Sequence, residues 1–366
     1  MNKNIILCLD GTGNQFKEDN SNIVKLVRIL EKDTKEQIVY YDPGVGTLAD
    51  PAYRTFFSKG LSKIKGLALG RGIKEDIKQA YFFIMNNYED GDRIYIFGFS
   101  RGAYTARSVA GMIQACGLLQ KHNINLIPYA IEMFQSKNID FKVLSKFKST
   151  FGRKCEIELL GLWDTVASVG WSFNPTFYPY TINNKSVKAV RHALSIDEKR
   201  VLFKPLLWGS DYKDKQDKQD IKEVWFAGVH SDVGGGYPEN ESGLAKISLE
   251  WMVNEISKTP FNLKFDEDKK QRYVFGKGSS GKYVAPDVGA VQHNSLKGFW
   301  KITQYLPIKI WDKETKTRKF KFLDEERFIE DGSTIHQSVL QRRDNHSYTP
   351  SNINFYDMGD KYTIEK

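Results

Sequence analysis

The distribution of apolar and polar residues along the chain predicts alternating strands and helices. Short apolar runs that end in glycine-rich turns indicate buried strands, and apolar residues at helical spacing indicate the helices between them. The predicted strands are 5–9, 37–41, 93–97, 156–162 and 223–228, and the predicted helices are 22–30, 73–81 and about 102–119. Continuous apolar strands that alternate with helices are typical of a parallel sheet covered on both faces. The predicted fold class is therefore α/β, with a mostly parallel sheet.

Two stretches depart from this regular pattern. Residues 213–220 consist of lysine, aspartate and glutamine, which predicts a solvated loop before the next strand. Residues from about 262 to 330 mix lysine, glycine and aromatic side chains without a clear period. We interpret this second stretch as an irregular insertion or cap packed on the main domain. The predicted organisation is one domain over residues 1–366, with the cap at about 262–330.

The composition is that of an ordinary globular protein. Of 366 residues, 40% are hydrophobic, 13% aromatic and 27% charged, which excludes a long disordered chain. The chain has no apolar run of membrane-spanning length and no signal peptide, so we expect synthesis in the cytoplasm without the general secretion route. Cys8, Cys116 and Cys155 lie in apolar segments without metal-ligand spacing, which favours a reducing compartment and predicts no metal site.

A serine lies in the turn after the predicted strand 93–97. The segment Gly98-Phe99-Ser100-Arg101-Gly102 has the GxSxG form and stands between an apolar strand and an apolar helix. Small residues beside the serine let the strand reverse sharply into the helix, which holds a nucleophile in a strained conformation with its hydroxyl exposed. A plain glycine-rich turn is the alternative. The strand before and the helix after favour a nucleophile elbow, with Ser100 as the nucleophile.

A serine nucleophile needs a base, and the base needs an acid that orients it. His230 follows a predicted strand and precedes a triple glycine, residues 234–236, which permits a tight turn beside a site. Asp164 follows another predicted strand, where a carboxylate is either catalytic or the N-cap of the next segment. The order Ser100, Asp164, His230 is the triad order of α/β-hydrolases. We predict these three as the catalytic residues.

A second assignment of the acid and base keeps the same order along the chain. It takes Asp232 as the acid and His336 as the base, because His336 lies beyond the irregular stretch, where a last strand-to-helix connection is expected. The other histidines lack comparable surroundings and are interpreted as surface or core residues; they are His122, His192, His293 and His346.

An acyl-transfer reaction also needs backbone N–H donors for the oxyanion. The N–H of Arg101 lies at the start of the predicted helix, where it is aimed toward the substrate. A second donor is expected in the loop after the first strand, where Gly11 and Thr12 are the candidates. This loop matches neither of the phosphate-binding patterns GxxxxGK[ST] and GxGxxG, and no cofactor is predicted.

Several segments together resemble the α/β-hydrolase domain of bacterial type VI secretion phospholipase effectors. They are spread over nearly the whole chain and are 10–14, 41–47, 98–107, 162–166, 193–198, 228–237, 293–297 and 335–339. The resemblance implies a Ser-Asp-His esterase that acts on glycerophospholipids, with Ser100, Asp164 and His230 as its triad. It further implies an antibacterial effector that is delivered to another cell, with a secretion carrier or an immunity protein as partner.

A lipid substrate needs an apolar approach to the reacting centre. The candidates for an aromatic lip are Trp171, Phe173, Phe177 and Trp300, with core packing as the alternative. The net charge of +9 suits an anionic partner, and we expect a phospholipid or membrane surface rather than nucleic acid. Two other functions stay open, which are hydrolysis of soluble esters or acyl-thioesters and a catalytically inactive binding module of the same fold.

Overall fold

The computed structural model describes most of the chain. The described residues are 2–11, 20–32, 35–44, 72–136, 139–166, 178–209, 219–278, 281–298, 300–301, 308–312, 317–321 and 326–366. Within 308–312 and 317–321 the description is of the backbone. The predicted charged loop 213–220 lies outside the described residues except for its last two positions.

One parallel sheet of eight strands forms the centre of the molecule. The strands in chain order are β1 (Asn4–Leu9), β2 (Gln37–Asp42), β3 (Arg93–Phe99), β4 (Leu118–Leu119), β5 (Gly152–Arg153), β6 (Ile157–Trp163), β7 (Val187–Ser195), β8 (Asp220–Phe226), β9 (Ile308–Asp312), β10 (Thr317–Lys321), β11 (Thr334–His336) and β12 (Thr363–Glu365). The main sheet has the order β12-β11-β8-β7-β6-β3-β1-β2, and its neighbours pair in parallel. The predicted α/β class with a parallel sheet is confirmed.

Helices pack on both faces of this sheet. They are α1 (Asn22–Ile29), α2 (Ile73–Asn87), α3 (Arg101–Cys116), α4 (Ile127–Gln135), α5 (Phe141–Phe151), α6 (His230–Gly234), α7 (Gly243–Ser257), α8 (Glu267–Tyr273), α9 (Gln337–His346) and α10 (Met358–Lys361). Successive strand residues point to opposite faces, so Leu7 joins the core under α2 to α5, whereas Ile6 joins the core under α1 and α7. Both faces of the strands are therefore apolar.

The strand order places several predicted site residues at one edge of the sheet. Strands β2 and β3 lie on opposite sides of β1, so the strand order reverses between β1 and β3. In open parallel sheets, such a point leaves a crevice outside the carboxyl ends of the strands. Ser100 follows β3, and Asp164 follows the neighbouring strand β6. His230 begins α6 shortly after β8. The predicted site therefore lies on one side of the molecule.

The irregular stretch contains the short helix α8 and the antiparallel hairpin of β9 and β10. Helix α8 packs against α1, on one face of the main sheet. The extent of the predicted cap stays a prediction. In the part of the chain that the structure describes, no helix has both the length and the apolar character needed to cross a membrane.

Candidate active site

Ser100 lies in a sharp, strained turn between β3 and α3. Its backbone has φ 59° and ψ −120°, outside the conformations that a residue with a Cβ atom normally adopts. The glycines on either side are needed because a Cβ at Gly98 would lie 2.5 Å from Cα of Ala103, and one at Gly102 would lie 2.2 Å from the carbonyl oxygen of Leu9. The N–H of Ser100 donates to the carbonyl of Trp163 at 3.0 Å, which joins the turn to the end of β6.

Asp164 follows Trp163 and is fully buried. Its backbone is also in the left-handed region, at φ 39°, and its N–H donates to the carbonyl of Ala193 at 2.7 Å. Its carboxylate accepts two hydrogen bonds from Ser195, from the N–H at 3.0 Å and from the hydroxyl at 3.1 Å. Arg327 contacts both carboxylate oxygens, at 2.6 and 2.9 Å. The side chain is thus held as an anion by several donors.

His230 contacts the same carboxylate. Nδ1 of His230 lies 2.6 Å from Oδ2 of Asp164, and because a carboxylate only accepts hydrogen bonds, Nδ1 is the ring nitrogen that donates. The imidazole packs on the ring of Phe99 with centroids 4.6 Å apart and meets the ring of Phe203 edge-on at 4.9 Å. The N–H of His230 donates to Glu198 at 3.2 Å. These contacts hold the ring in one orientation, with Nε2 left as an acceptor.

The triple glycine near His230 has a packing role at its first position. A Cβ at Gly234 would lie 1.9 Å from the ring of Phe99, so only glycine lets α6 pack this closely on the residue that precedes the serine. The imidazole thus packs on the ring of the residue that directly precedes Ser100. Within the described residues, no hydrogen bond joins the Ser100 hydroxyl to His230, and such contacts are often long before a substrate is bound.

Burial of the imidazole favours its neutral form. Burial lowers the pKa of His230, while the hydrogen bond and the negative charge of Asp164 act in the opposite direction. Burial alone would raise the pKa of Asp164, but Arg327 and His230 outweigh it and hold this pKa below its usual range. Glu198 also stays ionised, because Arg200 outweighs the effect of burial and lowers its pKa. A neutral imidazole beside an ionised carboxylate can accept a proton from a nearby hydroxyl.

The structure does not pair Asp232 with His336, which are the acid and base of the second assignment. Asp232 contacts His293, with Oδ1 2.6 Å from Nδ1, and it also accepts from the N–H of His293 at 3.0 Å. His336 lies at the end of β11, directly before α9, as expected for a last strand-to-helix connection. Its Nδ1 contacts the hydroxyl of Ser338 at 2.9 Å, and its ring stacks on Phe226. The described contacts of Asp232 and His336 do not include each other.

The oxyanion candidates differ in their surroundings. Arg101 is the first residue of α3, so its N–H lies at the positive end of the helix dipole. The N–H of Gly11 donates to Oδ1 of Asp10 at 2.7 Å. Asp10 also accepts from the hydroxyl of Ser21 at 2.6 Å, which fixes the loop after β1. Thr12 lies outside the described residues.

One candidate for the aromatic lip lies near the imidazole. Trp300 meets Phe203 edge-on at 5.3 Å, and Phe203 is the ring that contacts His230. The guanidinium of Arg200 lies 3.5 Å from the ring centre of Phe203 and 5.1 Å from that of Trp300. Trp300 is partly exposed, so an aromatic surface continues outward from the imidazole. The other lip candidates, Trp171, Phe173 and Phe177, lie outside the described residues.

Sequence reasoning missed three residues of this site. Ser195 is the last residue of β7, a strand that was not predicted, and Glu198 lies in the loop after it. Arg327 comes from the irregular stretch. No local motif marks Arg327, because an arginine in a segment without periodicity carries no signal of what it contacts. The segment 193–198 contributes to the family resemblance, but its sequence alone indicates no chemical role for Ser195 or Glu198.

A comparison with known protein families found a match. The family described as "T6SS, Phospholipase effector Tle1-like, catalytic domain" matches residues 3–255, which is more than half of the chain. The uncharacterised protein YEL023C of Saccharomyces cerevisiae is 38% identical over 221 residues, which are 56% of this chain and 32% of the yeast protein. The chain thus spans about a third of the length of this relative.

Two solved structures also match. An uncharacterised protein from Pseudomonas aeruginosa has 20% identity and a TM-score of 0.42, over 73% of this chain and 47% of that one. The Tle1 effector bound to the VgrG spike of the type 6 secretion system has 22% identity and a TM-score of 0.39, over 66% of this chain and 52% of that one. This chain therefore spans about half of each of these two chains.

Proposed function

The chain belongs to the family of Tle1-like catalytic domains of type VI secretion phospholipase effectors, and from this premise we propose that it is a serine esterase that hydrolyses acyl esters of glycerophospholipids. Ser100 is the proposed nucleophile, His230 the general base and Asp164 the acid that orients it. The N–H of Arg101 is the proposed oxyanion donor. The N–H of Gly11 is engaged by Asp10 and has to be released before it binds the oxyanion, and Thr12 stays the other candidate for a second donor.

A single contact carries this proposal. The 2.6 Å hydrogen bond between Asp164 and His230 fixes one tautomer of a buried imidazole, and the imidazole rests on the residue that precedes Ser100. A buried carboxylate, a neutral imidazole and a serine in a strained turn are the three groups that nucleophilic acyl transfer requires. Their convergence at the carboxyl edge of one sheet supports catalysis over a passive glycine-rich turn.

The reaction follows from the roles of these residues. The Ser100 oxygen attacks the acyl carbonyl carbon while its proton passes to Nε2 of His230. The ester C–O bond then breaks, the lysolipid leaves with that proton, and the acyl group stays on Ser100. Water next gives a proton to His230 and attacks the acyl carbon, which releases the fatty acid and returns a proton to Ser100. Asp164 stabilises the imidazolium in both steps.

Labelling of the serine tests the chemistry directly. A fluorophosphonate should modify Ser100, as mapped by peptide mass spectrometry, and Ser100→Ala should abolish both labelling and ester hydrolysis without loss of thermal stability. His230→Ala should be as inactive as Ser100→Ala. His336→Ala is the matched control and should keep most of the activity, because His336 contacts Ser338 and Phe226. An active His230→Ala protein with an inactive His336→Ala protein would reverse the assignment.

The choice of substrate needs a separate comparison. Rates on phosphatidylethanolamine and phosphatidylglycerol vesicles should exceed the rate on a short-chain ester at equal acyl concentration, and mass spectrometry should show lysolipid and fatty acid as products. Hydrolysis of soluble esters or thioesters alone would support the alternative enzyme. An unlabelled Ser100 with no turnover on any of these substrates would support the inactive binding module.

As a second, independent proposal, we propose that the chain is delivered to another cell. Family membership supports export to another cell, and the Tle1 structure includes a VgrG spike as that protein's partner. Co-purification of this chain with a VgrG protein of its own organism would support a carrier role for VgrG. Growth competition against strains that produce the wild-type chain or Ser100→Ala tests toxicity. A catalytically active chain that binds no VgrG would separate the hydrolase from the effector role.

A further inference from the structure

Arg327 makes the densest set of contacts around the proposed acid. Its Nη1 lies 2.6 Å from Oδ1 of Asp164 and its Nη2 lies 2.9 Å from Oδ2, the oxygen that faces His230. Nη1 also donates to the carbonyl of Ser195 at 2.8 Å and to its hydroxyl at 2.7 Å. Nη2 donates to the carbonyl of Phe203, whose ring contacts the imidazole. One guanidinium therefore joins Asp164 at the end of β6, Ser195 at the end of β7, and Phe203.

Arg327 and Asp164 form a buried ion pair rather than a surface one. The side chains of Arg327 and Asp164 are 3% and 0% exposed, so water screens their interaction only weakly. A guanidinium that contacts both oxygens of a carboxylate restricts its rotation as well as neutralising it. The backbone of Arg327 is itself anchored, because the side-chain amide of Asn352 donates to its carbonyl at 3.0 Å.

We propose that Arg327 is a positioning residue, which orients the Asp164 carboxylate toward His230 and supplies the positive charge that offsets it. The inference rests on the proposed function, and it adds a fourth residue, from the end of the irregular stretch, to the proposed triad. Arg327 touches neither Ser100 nor the reacting atoms, and it acts through Asp164. In an Asp–His pair without this charge, the carboxylate would attract a proton more strongly.

The consequence has a definite sign. The charged groups near the imidazole are Asp164, Glu198 and Arg200. Arg327 contacts the Asp164 oxygen that binds the imidazole. Removal of Arg327 leaves a buried anion with less compensation, so the Asp164–His230 pair holds its proton to higher pH, whichever residue carries it. Because the Asp164 carboxylate lies between Arg327 and the imidazole, we expect the pKa of the pair to rise by roughly one to two units when Arg327 is removed.

The test is Arg327→Gln, which removes the charge and keeps most of the volume. The first measurement is the pKa of His230, obtained from an NMR pH titration of protein labelled with ¹³C at histidine Cε1. The His230 resonance is assigned as the one that is missing in His230→Asn. The second is the acidic limb of kcat/KM on a short-chain ester. Both should move upward by about one pH unit or more. The NMR titration needs no turnover, so it tests the role of Arg327 even if the proposed esterase activity fails.

Two further variants separate charge from structure. Arg191→Gln removes another buried arginine of the sheet, paired with Glu255 at 2.5 Å, and should lower stability without moving the pKa of His230. Arg327→Lys keeps the charge but loses the two-pronged contact, so it should keep the pKa within about 0.3 unit and lose roughly tenfold in kcat. If Arg327→Gln does not fold, a pKa raised by a full unit in Arg327→Lys would overturn the proposal. An unchanged pKa in folded Arg327→Gln would overturn it as well.

Discussion

Gly102 offers a quantitative test of the turn that carries Ser100. It is the second residue of α3, where alanine would ordinarily stabilise a helix by about 1 kcal/mol. A Cβ at this position would lie 2.2 Å from the carbonyl oxygen of Leu9 and 2.5 Å from that of Asp10. Both oxygens belong to the backbone at the end of β1, so no change of side-chain rotamer relieves the overlap. We expect Gly102→Ala to lower the free energy of unfolding by about 3 kcal/mol.

The same shift of backbone should reach the site. Relief of the overlap moves the start of α3 away from β1 by about 1 Å, and a displacement of this size at a reacting group costs on the order of 10²-fold in rate. Thermal unfolding followed by circular dichroism should show a midpoint lower by roughly 6 °C, at about 2 °C per kcal/mol for a chain of this size. Hydrolysis of a short-chain ester, measured well below that midpoint, should fall by roughly 10²-fold.

Two matched glycines distinguish local from general effects. A Cβ at Gly111, in the same helix, would lie 2.5 Å from the carbonyl oxygen of Pro179, so Gly111→Ala should lose stability but keep the activity of its folded fraction. Gly359 in α10 has open space around its Cβ position, and Gly359→Ala should be as stable as the wild type or slightly more so. A Gly102→Ala protein with wild-type melting and wild-type activity would refute the steric argument for the turn.

Further predictions follow from the burial and charges of the site. Burial lowers the pKa of His230, so the acidic decline of kcat/KM should be centred below about pH 6.5, the ordinary pKa of a histidine; a decline centred above that pH would contradict a buried neutral base. Trp300→Ala removes a ring that packs on Phe203, and it should raise KM for vesicles several-fold with little effect on a short-chain ester, as initial rates would show. Asp164→Asn leaves Arg327 as a buried cation without its partner, and urea unfolding should show a loss of about 3–5 kcal/mol, whereas Ser100→Ala should show almost none.

Much of the fold could be predicted from local pattern. The strands 5–9, 37–41, 93–97 and 156–162 correspond to β1, β2, β3 and β6 within one or two residues at each end. These strands are mainly apolar because both faces of the sheet are covered, so a short, mainly apolar run is sufficient to identify them. The turn at Ser100 was equally predictable, since the glycines beside it report a local steric need.

Strand β7 shows where local pattern was insufficient. Its sequence includes Arg191 and His192, which interrupt the apolar run, yet both side chains are buried. Arg191 pairs with Glu255 of α7, and His192 contacts Glu223 of β8 at 2.7 Å. A buried charge is tolerated only when a partner is present, and the partner belongs to another element. The strand was therefore missed for a tertiary reason.

The partners of the acidic residues were decided in the same way. Asp164 and Asp232 were both candidates for the acid, yet Asp164 contacts His230 and Arg327, whereas Asp232 contacts His293. Arg327 is 163 positions from Asp164 along the chain. The sequence by itself determined the alternating elements, the strained turn and the residue types that acyl transfer needs, because periodicity and turn chemistry are properties of neighbouring residues. Only the tertiary structure decided which carboxylate meets which imidazole and guanidinium, because those pairings depend on the order of strands in the sheet.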